Sequence, residues 1–257
     1  MGHPSLELKD KTAVVIGGTS GIGLTIALGL GIAGANVVPT GRRAELVQSA
    51  CDQLKQTGTQ SLAKTSDVTN RDTLEELLLA VTNHFGDVHI LVNCAGTTKK
   101  TPTLDLSETE WNDILNTNLT GTLLACQVFG RHMVERKYGR IINTASLSSF
   151  VSLYQVAAYA ASKSAVLSLT KSLAIEWARD GVCVNAIVPG VFRTALNTRL
   201  LDSARGQELL MRTPMARFGQ TEELVGATVF LASDAASFVT GQTIVVDGGF
   251  LASGVNQ

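Results

Sequence analysis

Short apolar runs alternate with longer amphipathic stretches from one end of the 257-residue chain to the other. Runs rich in valine and isoleucine predict strands near 12–17, 36–40, 61–66, 88–93, 139–145, 182–188 and 242–246. Helical periodicity marks 22–33, 43–57, 71–85, 108–136, 157–179 and 221–233. Such alternation predicts βαβ units, and hence a single α/β domain: a doubly wound, parallel, seven-stranded sheet with helices on both faces. Right-handed crossovers bring the carboxyl ends of the strands to one edge, where open sheets bind ligands. Residues 191–220 break the rhythm with short helical pieces between turns, and a substrate lid is expected there.

Composition narrows the function. An apolar fraction of 45% and the lack of a proline-rich, serine-rich or charged linker fit one full core. With 21 basic and 22 acidic side chains, a net charge of -1 and no basic block, nucleic acid and anionic membrane surfaces are not expected partners. The stretches 12–41 and 141–162 carry no charge, yet Gly17, Gly21, Asn36 and Pro39 interrupt the first, and Asn143, Gln155 and several serines the second. They divide into strand, turn and helix and are not membrane spans. No basic segment followed by an apolar one opens the chain, and Leu6 stands where a myristoylation signal needs Ser or Thr. A cytoplasmic location is therefore expected. Cys51, Cys94, Cys126 and Cys183 lack metal-ligand or redox spacing, as do the four histidines, so no metal is expected.

Two local patterns carry chemistry. In the first, an apolar strand ending at Ile16 runs into Gly17-Gly-Thr-Ser-Gly21-Ile-Gly23 and then into an apolar helix. That arrangement presents backbone N–H groups to a pyrophosphate, with glycines permitting the tight turn and close approach. No lysine follows, as a nucleoside-triphosphate loop would require. In the second, Tyr159 and Lys163 stand four apart in a predicted helix, on one face, with Ser146 thirteen residues upstream. Moving a phenol from a pKa of about 10 to about 7 requires roughly 4 kcal/mol. An ammonium about 4 Å away at an effective dielectric of about 20 supplies that much. Nucleophile motifs fare worse: Gly18-Thr-Ser-Gly-Ile lacks the second glycine of Gly-x-Ser-x-Gly, and Ser168-Leu-Thr-Lys171 has none of its companion motifs. At the end of the second strand, Gly41-Arg42 offers a cation where an acid would accept the ribose hydroxyls of NAD, and a guanidinium suits a 2′-phosphate.

Taken in order, the glycine turn, Asp67-Val68, Asn93-Cys-Ala-Gly96, Asn118-Leu-Thr-Gly121, Ser146, Tyr159, Lys163, Val184-Asn-Ala-Ile-Val-Pro-Gly190 and Val246-Asp-Gly-Gly249 resemble the short-chain dehydrogenase/reductase family over nearly the whole chain. Ile16 and Cys94 depart from the family's frequent threonine and second asparagine. The resemblance implies a Rossmann fold and a catalytic set of Asn118, Ser146, Tyr159 and Lys163: Tyr159 gives the proton, Ser146 polarises the carbonyl, Lys163 lowers the phenol pKa and holds the nicotinamide ribose, and Asn118 holds a water. It also implies dinucleotide contacts from Gly17, Thr19, Ser20, Gly21, Ile22, Gly23, Arg42, Asp67, Val68, Asn93, Ala95, Gly96, Tyr159, Lys163, Pro189, Gly190 and Thr194. NADP(H) is the expected cofactor, with NAD(H) the alternative, and a homotetramer the expected assembly. The segments around Asn93–Pro102, Ile142–Leu147, Pro189–Asn197 and Arg212–Gly219 resemble the gluconate 5-dehydrogenase branch. The expected substrate is thus a small carbonyl or alcohol, a sugar acid or polyol, contacted by Lys100, Ser146 and Tyr159. A 3-oxoacyl carrier-protein reductase and a non-catalytic nucleotide sensor are the competing readings.

Overall fold

The computed structural model describes residues 5–194 and 201–254. Six parallel strands, β1 (Thr12–Ile16), β2 (Asn36–Thr40), β3 (Ile90–Asn93), β4 (Gly139–Thr144), β5 (Val182–Pro189) and β6 (Thr243–Val246), form one sheet in the order β2-β1-β3-β4-β5-β6. The chain leaves β1 for β2 on one side and returns to place β3 on the other, so the strand order reverses at the carboxyl end of β1. In a doubly wound sheet this crevice receives the ligand.

The two-residue period of the strands sorts their apolar side chains into two layers. Val14, Ile16, Leu91, Ile141 and Val184 pack with Leu74, Leu77 and Val81 of α3 (Arg71–Phe85), Phe129 and Met133 of α5 (Gly121–Glu135) and Leu173 of α6 (Ala157–Trp177). Ala13, Val15, Ile90, Val92 and Ile142 pack on the opposite face with Ile26 and Leu30 of α1 (Gly21–Ile32), Leu54 of α2 (Ala44–Gln56) and Leu231 of α8 (Val225–Ala232). Helix starts follow local chemistry: Asn70 accepts from Asp72 N at 3.0 Å to cap α3, and Ser107 from Glu110 N at 3.1 Å to cap α4 (Glu108–Leu115).

Two expectations are corrected. The seventh strand, near 61–66, is reduced to one bridge between Val37 and Ser61. Val37 N donates to Gln60 O at 3.0 Å, and Ser66 N reaches Gly41 O at 3.1 Å. The residue that should donate between them on the same side of β2 is Pro39, which has no N–H, so the ladder loses a rung and the segment stays irregular. The helix expected at 108–136 is three pieces, because a π turn at Asn116–Thr120 joins α4 to α5. The lid expectation at 191–220 includes 195–200, which lie outside the described residues; its described part holds α7 (Ala204–Met211). No helix among the described residues is long and apolar enough to cross a membrane.

Candidate active site

The turn after β1 is closed by backbone. Gly17 and Gly18 N–H groups both donate to Thr40 O, at 2.9 and 3.2 Å, and Gly17 adopts φ 77°. A Cβ on Gly17 would lie 2.6 Å from Ala95 N, and one on Gly23 2.2 Å from Gly17 O, so neither position admits a side chain. The N-cap of α1, Ser20, makes no side-chain cap, and the first turn holds no acid. The leading N–H groups of α1 are left to an anion. A Cβ on Gly21 would stand 3.9 Å from Thr194 Cγ2, and one on Gly41 3.3 Å from Thr19 Oγ1, so these expected contacts gather around the same turn. Ile22 packs against the α1-side core.

Arg42 is exposed at the end of β2, beside Arg43 and with no acid in that turn. Asp67 Oδ1 accepts from Thr69 N and Oγ1 at 3.0 and 2.8 Å, leaving its second oxygen for an outside donor. Val68 is buried against Gly121. Pro189 is buried at the end of β5, and Gly190 follows against Asp247, where a Cβ would lie 2.5 Å from Asp247 Cα.

Ser146 follows β4, its Oγ accepting from Ser148 N at 3.2 Å. Tyr159 and Lys163 extend from the first turns of α6. Lys163 is 5% exposed, and its ammonium donates to Thr144 O at 2.7 Å. A Cβ on Gly96 would sit 3.4 Å from Asn118 Oδ1 and 3.5 Å from Lys163 Nζ, which brings β3's following turn, the π turn and α6 to one point. Asn118 is fully buried, with Oδ1 accepting from Thr97 N (2.8 Å) and Nδ2 donating to Thr97 O (2.9 Å) and Ser162 Oγ (3.0 Å). Its placement coincides with the π turn, a device that re-aims one helical residue.

The surroundings narrow three expected roles. Lys163 is not the group that dominates the phenol. Burial raises the Tyr159 pKa, opposed by the Ser146 hydroxyl. The lysine ammonium, on Thr144 O, lies 5.9 Å from the ring centroid, while its own burial pushes it down to about 8. Asn93 is no dinucleotide contact through its side chain: it is 4% exposed, and Nδ2 donates inward to Asn143 Oδ1 at 2.9 Å. Asn118 has spent both amide hydrogens on protein, so a water can reach it only through an oxygen. The neighbouring Cys94 Sγ lies 3.1 Å from Thr144 Oγ1, and burial raises this thiol to about 11, so it places no charge beside the lysine.

At the mouth the two lysines separate. Lys99 pairs with Glu110, which also accepts from Thr101 Oγ1, whereas Lys100 is exposed with Nζ 5.9 Å from the Tyr154 ring centroid. Sequence reasoning missed Thr97 and Ser162, the two residues that hold Asn118, and Gln155, a non-glycine at φ 65° one turn before Tyr159. Small polar residues in mid-segment give no signal of such partners.

A pyrophosphate cradle and a serine–tyrosine–lysine set on one edge of a doubly wound sheet define a nicotinamide-dependent oxidoreductase. A family model described as enoyl-(acyl carrier protein) reductase matches residues 17–251. Gluconate 5-dehydrogenase of Gluconobacter oxydans (strain 621H) is 40% identical over 255 residues, covering 98% of this chain and 100% of that one. The 5-keto-D-gluconate 5-reductase of Escherichia coli (strain K12) is 39% identical over 246 residues, 95% of this chain and 97% of that one. Among solved structures, a gluconate 5-dehydrogenase from Burkholderia cenocepacia J2315 in complex with NADP and tartrate superposes with a TM-score of 0.93 at 37% identity, covering 96% of this chain and 98% of that one. The chain belongs to the short-chain dehydrogenase/reductase family.

Proposed function

We propose that this protein is an NADP-dependent oxidoreductase of sugar acids that reduces a keto-gluconate-type ketone and oxidises the corresponding alcohol. The observation that carries the reaction class is the convergence of Ser146, Tyr159 and Lys163 on the strand edge that holds the closed glycine turn. The relatives support the substrate class: two at about 40% identity are named for gluconate or its keto form and two more at 39–40% for 2-dehydro-3-deoxy-D-gluconate, while one at 39% is named for the neutral polyol D-threitol. Arg42, exposed and without an acid beside it, supports NADP(H) over NAD(H).

The residues present fit the dinucleotide. The α1 N–H groups would hold the pyrophosphate, Arg42 the 2′-phosphate, Asp67 the adenine amine and Lys163 the nicotinamide ribose. When bound, the reduced nicotinamide supplies a hydride to the carbonyl carbon. Ser146 Oγ donates a hydrogen bond to the carbonyl oxygen, and Tyr159 passes its phenolic proton to that oxygen as charge builds there. A phenol whose pKa is raised stays protonated at neutral pH, which suits reduction, while oxidation needs the phenolate and gains with rising pH. Asn118 locks the 97 segment to α6 and so holds Lys163 in place. In this reading the described residues 191–194 and 201–220 belong to the lid; the protein is cytoplasmic and acts as a homotetramer.

The test is NADPH oxidation with a panel of 5-ketogluconate, neutral ketoses and acetoacetyl thioesters, for the natural protein and Tyr159→Phe. Turnover of the keto-acid that drops at least about 100-fold in Tyr159→Phe is expected. Faster turnover of the thioesters moves the assignment to an acyl reductase.

A further inference from the structure

Two cations without acidic partners meet at one short turn beside the site. Arg205, half-buried near the start of α7, places both Nη1 and Nη2 3.2 Å from a single oxygen, the Tyr154 carbonyl. Lys100 approaches the ring of the same tyrosine. Of the neighbouring acids, Glu110 pairs with Lys99 and Asp202 with Arg193 at 3.0 Å, while Glu208, three residues further along α7, forms no ion pair with Arg205. No acidic side chain lies within ion-pair distance of Arg205 or Lys100 among the described residues, and the remaining positions carry no Asp or Glu.

The guanidinium fork is shaped for two oxygens of one carboxylate, and a charged acceptor binds it about twice as strongly as a neutral one. On a lone carbonyl oxygen the fork is half-used and its charge uncompensated. The turn it holds is itself constrained. Gln155 keeps φ 65° while its carbonyl accepts from Thr101 N at 2.9 Å, so adjacent carbonyls are gripped by the Lys100 segment and by α7. Strained non-glycine residues of this kind gather at ligand clamps. Four residues further on stands Tyr159.

We propose that Arg205 is a specificity-determining residue that reads the carboxylate of the substrate: its fork leaves the Tyr154 carbonyl for the two carboxylate oxygens, with Lys100 as the second cation. This rests on the sugar-acid reading above and adds the residue that enforces it. A neutral ketose gives the fork no reason to move. Binding of the acid therefore exchanges a neutral acceptor for an anionic one, and the preference for acids over neutral ketoses comes from that exchange.

The experiment compares kcat/KM for 5-ketogluconate and for L-sorbose, a neutral six-carbon ketose, with saturating NADPH, in the natural protein, Arg205→Gln and Arg205→Lys. The quantity read is the acid-to-neutral ratio, which cancels general damage to the fold. It should fall about ten- to hundred-fold in Arg205→Gln, mostly through KM for the acid, and less in Arg205→Lys, which keeps the charge but not the fork. A high natural ratio that Arg205→Gln leaves within about threefold overturns the role of Arg205 and makes it a latch between α7 and the 154 turn. A natural ratio of one or below instead refutes the sugar-acid reading itself.

Discussion

Lys163→Met should make the fold less sensitive to pH while abolishing turnover. Burial lowers the Lys163 ammonium from 10.5 to about 8. At about 1.4 kcal/mol for each tenfold change in proton affinity, holding that charge in the folded chain costs about 3 kcal/mol at neutral pH. Because the folded value lies below the unfolded one, the cost is full below pH 8 and fades as pH rises from 8 towards 10.5. By pH 9.5 about 1.5 kcal/mol remains. Methionine keeps the apolar length and removes the charge. It also strands Thr144 O, which the ammonium reaches at 2.7 Å, at a pH-independent cost of about 1–3 kcal/mol. The absolute difference at pH 7 is thus close to balance, and the slope is what diagnoses the buried charge.

Urea unfolding of both proteins without dinucleotide, at pH 7, 8 and 9.5, measures that slope. Between the extremes the natural protein should gain about 2 kcal/mol on the variant. Parallel profiles would refute the reasoning, because a lysine solvated in the folded state has nothing to gain from losing its proton. A lysine retained at this cost needs a compensating use. Loss of reductase activity in the same variant would supply it.

Cofactor choice is tested by Gly41→Asp with Arg42→Ala: the natural protein should prefer NADPH by about tenfold or more in kcat/KM, and the pair should reverse the order, with Thr19 shifting slightly to admit the new Cβ. Equal use of NADH by the natural protein removes Arg42 from this role. At the opposite edge of the sheet, His89 Nδ1 accepts from Thr12 N at 3.0 Å and His132 Nε2 from Val88 N at 3.3 Å; burial holds both below 6.5, with Lys11 adding to the effect at His89 and Asp87 opposing it at His132. Their stabilising effect is full above pH 6.5 and is lost as pH falls through the lowered values, so urea midpoints should drop between pH 7 and 5, and less so in His89→Asn. The β6 edge, with Val245, Phe238 and Ile175 exposed near it, should be covered by a second copy, and light scattering at micromolar concentration should give a tetramer; a monomer counts against it.

Much of this was legible in the chain because it rests on local rules. The glycine turn declares itself through close approach, since Gly17 and Gly23 exclude even a methyl group, and the strand rhythm through the two layers that Val14 and Val15 enter on opposite faces. The lost seventh strand was also written there, in Pro39, though only register shows that its missing N–H faces the 61–66 side. Asn93 and Asn118 mark the limit. Both follow or lie within recognisable motifs, but one turns into the sheet and the other is re-aimed by a π turn, and neither choice has a periodic signature.

The Tyr159–Lys163 pair shows why spacing is a guide to proximity and not to charge. Four residues on a helix bring the two side chains to one face, and the structure keeps them there. Which acceptor an ammonium chooses depends on oxygens from other strands, and here the end of β4 offers the Thr144 carbonyl 2.7 Å away. A buried cation held by a neutral carbonyl stabilises a neighbouring phenolate less than one free to face it, and burial then dominates the phenol. In the mechanism proposed above, a phenol raised by burial favours proton donation at neutral pH and alcohol oxidation at higher pH. That asymmetry follows from β4 as much as from the motif itself.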